Sequence, residues 1–288
     1  LKKEPMSNHT TFRIGGEAEY FLMPSCEEEI IRVQNILKKY SVPCFIMGNG
    51  SNLLVSDQGI EGAVLHLGEN FSSILVDGAT IQAQAGALLS KIAHVSAGHS
   101  LAGLEFIEGI PGSLGGAVTM NSGAYGGEMA QVITKVCVLT PQGERKILTN
   151  KEMDFGYRHS VVADQGLLVL SAEFGLKEGD KEEILALIKE LSRRRKEKQP
   201  LEFPSAGSTF KRPQGYFAGK LIMDSGLAGY QHGGAKVSEK HCGFVINEGK
   251  ATAEDVAAVI KYIKETVMEK FSVMLEPEIK FIGNFEEQ

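Results

Sequence analysis

The sequence predicts an α+β fold. Helix and hairpin signals are mixed along its 288 residues without the regular βαβα beat of a doubly wound sheet. The length predicts two domains, or three small ones, and is ample for a buried core. A charged helix running into Pro200 and Pro204 marks the best boundary. Glycine is the one unusual count: 33 of 288 residues, about 11% against roughly 7% in ordinary proteins. With only 9 prolines and no G-X-Y period, the excess is neither a disordered tract nor collagen.

The elements follow in chain order. Ser25 and Glu28 read as a capping box opening a helix, with Ile30, Ile31, Val33, Ile36 and Leu37 as its apolar set. Residues 43–47 and 62–67 read as short buried strands. Residues 73–77 and 80–85 flank Gly78-Ala79, a two-residue hairpin turn. Residues 88–97 fit a helix. Residues 135–140 and 145–148 flank Pro141-Gln142-Gly143, a second hairpin, and residues 167–176 are strand-like. Residues 182–198 form an amphipathic helix with Ile184, Leu187, Ile188 and Leu191 on one face. Its basic end, residues 193–198, reads as a solvated terminus favoured by the helix dipole, with phosphate binding as the alternative. Thr252 caps a last helix over about 253–270, and residues 273–282 form a final strand.

Composition excludes several classes. A net charge of −6 and a pI of about 5.7 disfavour a nucleic-acid binder. No apolar run approaches the ~20 residues that span a bilayer, and the opening Leu-Lys-Lys-Glu-Pro has no signal-like stretch. A first residue other than Met leads to the expectation that native residues, or a tag, were removed. Cys26, Cys44, Cys137 and Cys242 are far apart and form no C-x-x-C pair. They are expected to be reduced, buried thiols of a cytoplasmic protein, with neither a disulfide framework nor a metal site.

The glycines cluster. Gly48-Asn49-Gly50-Ser51-Asn52 follows a strand and reads either as an anion-binding nest or as a tight turn. Residues 103–127 hold glycines at 103, 109, 112, 115, 116, 123, 126 and 127. Such density points to backbone wrapped around a large, flat or polyanionic ligand. Neither a G-K-[ST] ending nor a G-x-G-x-x-G after a strand is present, so a dinucleotide on a non-Rossmann fold is the natural inference. Residues 226–236 form a third glycine-rich patch, suited to a substrate loop.

Asn8-His-Thr-Thr-Phe-Arg-Ile-Gly-Gly16, residues 48–52, Gly109-Ile110-Pro111-Gly112-Ser113 and Asn121-Ser122-Gly123-Ala124 occur in this order. Tyr157-Arg-His-Ser160, residues 204–213 and Leu275-Glu-Pro-Glu-Ile279 follow. Together they resemble the UDP-N-acetylenolpyruvoylglucosamine reductase family of MurB flavoenzymes, in its compact type II branch, over residues 6–283. The resemblance implies a two-part FAD-binding domain of the vanillyl-alcohol oxidase/PCMH type plus a C-terminal α+β substrate-binding domain. The implied segments are residues 1–68 and 69–180 for FAD and residues 181–288 for substrate.

It further implies that Gly48, Asn49, Gly50, Ser51 and Asn52 hold the FAD pyrophosphate. Gly109, Ile110, Pro111, Gly112, Ser113, Gly115 and Gly116 pass along the cofactor, as do Asn121, Ser122, Gly123 and Ala124. Arg13, with Thr11, supports it, and His9 is structural rather than a flavin tether. NADPH is the implied donor and an enolpyruvyl UDP-sugar the acceptor. Hydride addition builds charge beside the substrate carboxylate, which preorganised groups must stabilise. Arg158 would bind that carboxylate, Glu276 would polarise it if held protonated, and Ser208 would protonate the adjacent carbon. Without the resemblance these three read as an ion pair, a solvated turn and a loop cap. Tyr157, Lys211, Lys220, Tyr230 and Lys236, with Arg212 and Tyr216, are the implied UDP-sugar contacts. No metal, nucleic acid or membrane is implied, and a monomer is compatible. The competing functions are an FAD oxidase of the same fold and a non-catalytic UDP-sugar binder.

Overall fold

The computed structural model describes residues 1–285; residues 286–288, the end of the expected substrate segment, lie outside the described residues. The chain packs as two compact units, one of residues 22–49 and 64–195, the other of residues 1–21, 50–63 and 196 onward.

The first unit is built on a five-stranded antiparallel sheet. Its order is Arg145–Thr149, Ile133–Leu139, Leu168–Gly175, Thr80–Gln84, Ile74–Asp77. Asp77 pairs with Thr80, so Gly78-Ala79 is the expected two-residue turn, with Gly78 at φ +55. The central strand buries Leu168, Val169, Leu170, Ala172 and Phe174. Helices α1 (Glu27–Lys39), α2 (Leu89–Gly98), α3 (Leu114–Thr119), α4 (Val161–Asp164) and most of α5 (Lys181–Lys198) complete the unit. Ile81, Phe174, Leu89, Ile92, Leu104, Ile107 and Leu114 share one core. Burying each such side chain stabilises the fold by about 1.5–3 kcal/mol.

Several elements differ from their expectation. Cys26, not Ser25, is the N-cap of α1. Ser25 donates its N–H and Oγ–H to Glu29 Oε2 at 2.7 and 2.9 Å, so the acidic partner is Glu29 rather than Glu28. The strand Cys44–Met47 buries only Met47. It pairs with one neighbour, the strand Ile60–His66, which leaves it an edge. Cys44 is accordingly exposed and Cys26 half-buried, while Cys137 and Cys242 are buried; all four are free thiols.

The buried stripe of α5 is Ile184, Ile188, Leu191 and Arg195. Their spacing of four, three and four keeps one face toward the core, and Leu187, a turn-third away, is 46% exposed. The basic end is not wholly solvated. Arg193 and Arg194 pair with Glu190 at 2.8 and 2.7 Å, while Arg195 turns inward.

The second unit has a three-stranded antiparallel sheet, Gln231–His232, Ala235–Val237 and Val245–Asn247. With it go α6 (Ala218–Asp224) and α7 (Ala253–Phe271). Thr252 caps α7 as expected, and Asp255 joins it in a capping box. Both Asp57 oxygens also accept from the Ala253 N–H, at 3.0 and 2.9 Å. Val256, Val259, Ile260, Ile263 and Val267 form the buried face of α7. The expected final strand is regular only over Lys280–Ile282, parallel to Leu53–Val55. Residues 273–279 are irregular and meet the 209–211 loop through the isolated Phe210–Pro277 bridge, with one hydrogen bond on each side of it.

Among the described residues, no helix is long and apolar enough to cross a membrane, and no group of three or more His, Cys, Asp or Glu is placed to hold a metal.

Candidate active site

The expected site residues divide between the two units. In the first unit, two of the implied cofactor segments are tied together: Asn49 Nδ2 donates to Pro111 O at 2.9 Å. Beside that contact Gly48 meets Ser113. A Cβ on Gly48 would fall 2.1 Å from Ser113 Oγ, so a side chain there would force the Ser113 hydroxyl to move. Ser113 is buried and its Oγ has no hydrogen-bond partner among the described residues. An unsatisfied buried hydroxyl costs about 1–3 kcal/mol. A glycine floor beneath an unsatisfied donor is the arrangement that an anionic group, approaching closely, would complete.

Other polar groups here are already committed. Leu114 N–H donates to Ala87 O and Gly115 N–H to Ala85 O, at 2.9 and 2.8 Å. These bonds fix α3 against residues 85–87 instead of leaving its first amides open. Gly109, at φ +74, gives its carbonyl to Arg195 Nη1 at 2.6 Å. Arg195 is 6% exposed, with its guanidinium 5.8 Å from the Tyr125 ring centroid. Burial lowers its pKa, and Tyr125 and Glu108 work against that shift. The basic end of α5 therefore contributes one buried guanidinium that anchors the Gly109–Ser113 segment.

Tyr157 and Arg158 form the tip of a tight turn. Gly156 N–H donates to His159 O and His159 N–H to Gly156 O, at 3.1 and 3.2 Å. Arg158 has φ +54, a left-handed conformation that disfavours any residue with a Cβ. Its guanidinium lies 5.1 Å from the Tyr157 ring centroid. Strain held at one residue by its surroundings is a common mark of a working site.

In the second unit, Ser208 sits on a loop held rigidly around it. Thr209 is 1% exposed. Its N–H donates to Gly243 O at 2.8 Å, and its Oγ1 accepts from Val245 N–H at 3.0 Å. Ser208 itself is exposed, and Gly207 before it has φ +78. The 275–279 segment runs alongside: Glu278 N–H donates to Thr209 O and Lys211 N–H to Glu276 O, at 2.8 and 2.9 Å. The Glu276 side chain is 68% exposed and ion-paired with Lys211 Nζ. Glu278, two residues on, is half-buried, and its carbonyl accepts from Asn52 Nδ2 at 3.0 Å. Glu278 is not singled out by the sequence. An extended segment puts positions two apart on one face, so spacing alone does not separate the two carboxylates.

The remaining expected residues of this unit are placed as follows. Thr11 N–H donates to Gly50 O at 3.2 Å and Thr11 Oγ1 to Ser205 O at 2.6 Å. Arg13 is exposed, at φ +56. Ser51 is half-buried. Lys220 pairs with Asp224 at 2.7 Å, and Lys236 with Glu248 at 3.1 Å, a contact that raises the Lys236 pKa. Tyr230 stacks on Tyr262 with centroids 4.3 Å apart. His9 bonds Glu4 Oε1 at 2.8 Å and stacks on Phe21.

Comparison with known proteins finds two matching domain families along the chain. Residues 18–149 match an FAD binding domain, and residues 199–282 match the C-terminal domain of UDP-N-acetylenolpyruvoylglucosamine reductase. The chain is 53% identical to the UDP-N-acetylenolpyruvoylglucosamine reductase of Agathobacter rectalis, covering 99% of this chain and 94% of that one. It is also 53% identical to the same enzyme of Caldanaerobacter subterraneus, covering 97% and 92%. The crystal structure of the Thermus caldophilus enzyme superposes with a TM-score of 0.85 at 36% identity, over 97% of each chain.

Proposed function

The chain belongs to the UDP-N-acetylenolpyruvoylglucosamine reductase (MurB) family, an FAD-containing oxidoreductase family of peptidoglycan synthesis, and from that premise we propose the reaction and the residues that carry it. The reaction is reduction of UDP-N-acetyl-3-O-(1-carboxyvinyl)-glucosamine to UDP-N-acetylmuramate at the expense of NADPH. The identity of 53% over nearly the whole chain is the observation that carries it. Residues 1–68 and 69–180 serve FAD in this reading, apart from Tyr157 and Arg158, which serve the substrate, and residues 181–288 serve the UDP-sugar.

The chain's own groups fit FAD. Gly48 permits close approach, and the buried Ser113 Oγ offers a donor to an anionic oxygen. When bound, FAD would supply the two-electron hydride chemistry that links NADPH to the enolpyruvyl double bond. Arg158 binds the substrate carboxylate through its planar fork and holds the charge that builds there. The Ser208 hydroxyl gives its proton to C2, so one hydride and one proton add across the double bond. A serine is a weak acid at neutral pH, but an enolate carbon is basic enough to take its proton.

The 275–279 segment supplies the carboxyl that polarises the substrate carboxylate. Of its two candidates we assign Glu278, because Glu276 is exposed and committed to Lys211, while Glu278 is half-buried and its backbone is bonded to Thr209, next to Ser208. Lys211, Lys220, Lys236, Tyr157 and Tyr230 are the proposed UDP-sugar contacts, and the lysines must exchange their present carboxylate partners for phosphate.

The purified protein is expected to be yellow and to oxidise NADPH only when the enolpyruvyl substrate is present. A colourless protein that FAD does not reconstitute contradicts this function. Oxygen consumption with an alcohol or hydroxy acid would identify the oxidase instead.

A further inference from the structure

The turn that carries Arg158 is tied down on both sides to one short segment. Before the turn, Asn121 Nδ2 donates to Gly156 O at 3.0 Å. The other half of the same amide, Asn121 Oδ1, accepts from Ala130 N–H at 2.9 Å. After the turn, Ser160 donates its Oγ–H to Thr119 O at 2.8 Å. Asn121 is 2% exposed and Ser160 fully buried, so neither bond competes with water. Thr119 Oγ1 in turn donates to Gly115 O at 2.7 Å, which links the segment to the glycine-rich stretch.

Asn121 at φ +43 and Arg158 at φ +54 both hold left-handed backbone, as do Tyr125 at φ +54 and Asp154 at φ +46 close by in the sequence. Asparagine tolerates that region through its short polar side chain, whereas arginine does so only when neighbouring contacts impose it. The Gly156 carbonyl takes both the closing bond of the turn and the Asn121 amide. Asn121 therefore sets the orientation of the peptide from which the turn springs.

We propose that Asn121, with Ser160, is a positioning residue for Arg158: its side-chain amide holds the strained 156–159 turn in register with the 115–121 segment. This rests on the role of Arg158 as the carboxylate-binding residue. The Asn121 side chain serves the turn, and only its backbone remains to face a cofactor.

The test uses the full-length, flavin-loaded protein. Asn121→Asp keeps the size and the acceptor for Ala130 N–H but removes the donor to Gly156 O. The Kd of the enolpyruvyl substrate is read from the change in flavin absorbance on binding. It is expected to rise about 10- to 100-fold in Asn121→Asp, the scale of a misplacement of about 1 Å. In an Arg158→Ala background the same change is expected to add nothing further. Amide hydrogen exchange at His159 should quicken, and flavin content should stay at the wild-type level. Loss of flavin, an equal rise in Kd with and without Arg158, or unchanged Kd would each overturn the proposal. Should Asn121→Asp fail to fold, Ser160→Ala removes the second tether and carries the same cycle. If the wild type neither binds nor reduces the substrate, the proposed function fails, while His159 exchange still decides whether Asn121 holds the turn.

Discussion

Gly48 lies directly against the Ser113 hydroxyl: a Cβ on Gly48 would lie 2.1 Å from Ser113 Oγ, and that hydroxyl is buried without a partner among the described residues. The pair predicts opposite effects on the two states of the protein. Ser113→Ala should stabilise the flavin-free protein by removing an unsatisfied group, by about 1 kcal/mol. It should weaken FAD binding by a similar amount. Gly48→Ala should harm both states, because overpacking costs about 1–3 kcal/mol. Thermal melts with and without FAD, and FAD titration, read both effects.

Ser208→Ala separates the two halves of the reaction. Flavin reduction by NADPH should survive, while turnover of the enolpyruvyl substrate falls about 10²- to 10⁴-fold, the range of a lost general acid. Rapid-mixing absorbance of the two half-reactions checks it. Equal loss in both would remove Ser208 from the proton step.

The two carboxylates of the 275–279 segment should part company. Glu278→Gln is expected to lower kcat at least tenfold, since an interaction made mainly in the transition state is lost. Glu276→Gln is expected to act on KM through Lys211, its ion-pair partner. Steady-state kinetics of both variants distinguishes them, and the reverse pattern would return the role to Glu276.

Arg195 predicts a structural effect at a cofactor segment. Arg195→Met removes the 2.6 Å bond to Gly109 O and should destabilise the protein by about 1.5–3 kcal/mol, the worth of a hydrogen bond to a charged group. Arg195→Lys should rescue little, because a point charge does not reproduce the planar fork. Denaturant unfolding measures both.

The cap of α7 gives a pH dependence. Burial raises the Asp255 pKa, but the amides of Thr252 and Gly234 and the Thr252 hydroxyl outweigh it, leaving the group below its ordinary 3.8. A carboxylate with a depressed folded pKa contributes stability above the unfolded value and loses it as pH falls through the folded one. Asp255→Asn should therefore reduce stability at neutral pH and flatten its decline below about pH 4. Urea midpoints across pH read the slope.

Much of this was legible in the sequence where local rules act alone. The Gly78-Ala79 turn, the Thr252 cap and the 184–188–191 stripe need only spacing and capping chemistry. The family motifs marked the segments of the proposed site. What was hidden depends on partners distant in sequence. Arg195 reads as part of a basic helix end until Gly109 and Tyr125 are seen around it. Cys44 reads as a buried strand residue until its strand proves to be an edge. Asn121 reads as one more polar residue of a cofactor motif, because no local rule pairs it with Gly156, 35 residues on.

The most direct test is NADPH consumption by the purified, flavin-loaded protein with and without UDP-N-acetyl-3-O-(1-carboxyvinyl)-glucosamine, with the product analysed. The proposed function predicts one UDP-N-acetylmuramate formed for each NADPH consumed, and negligible consumption without the sugar nucleotide. NADPH oxidation that continues at the same rate without the substrate, or a protein that binds the sugar nucleotide and leaves its double bond intact, would contradict it.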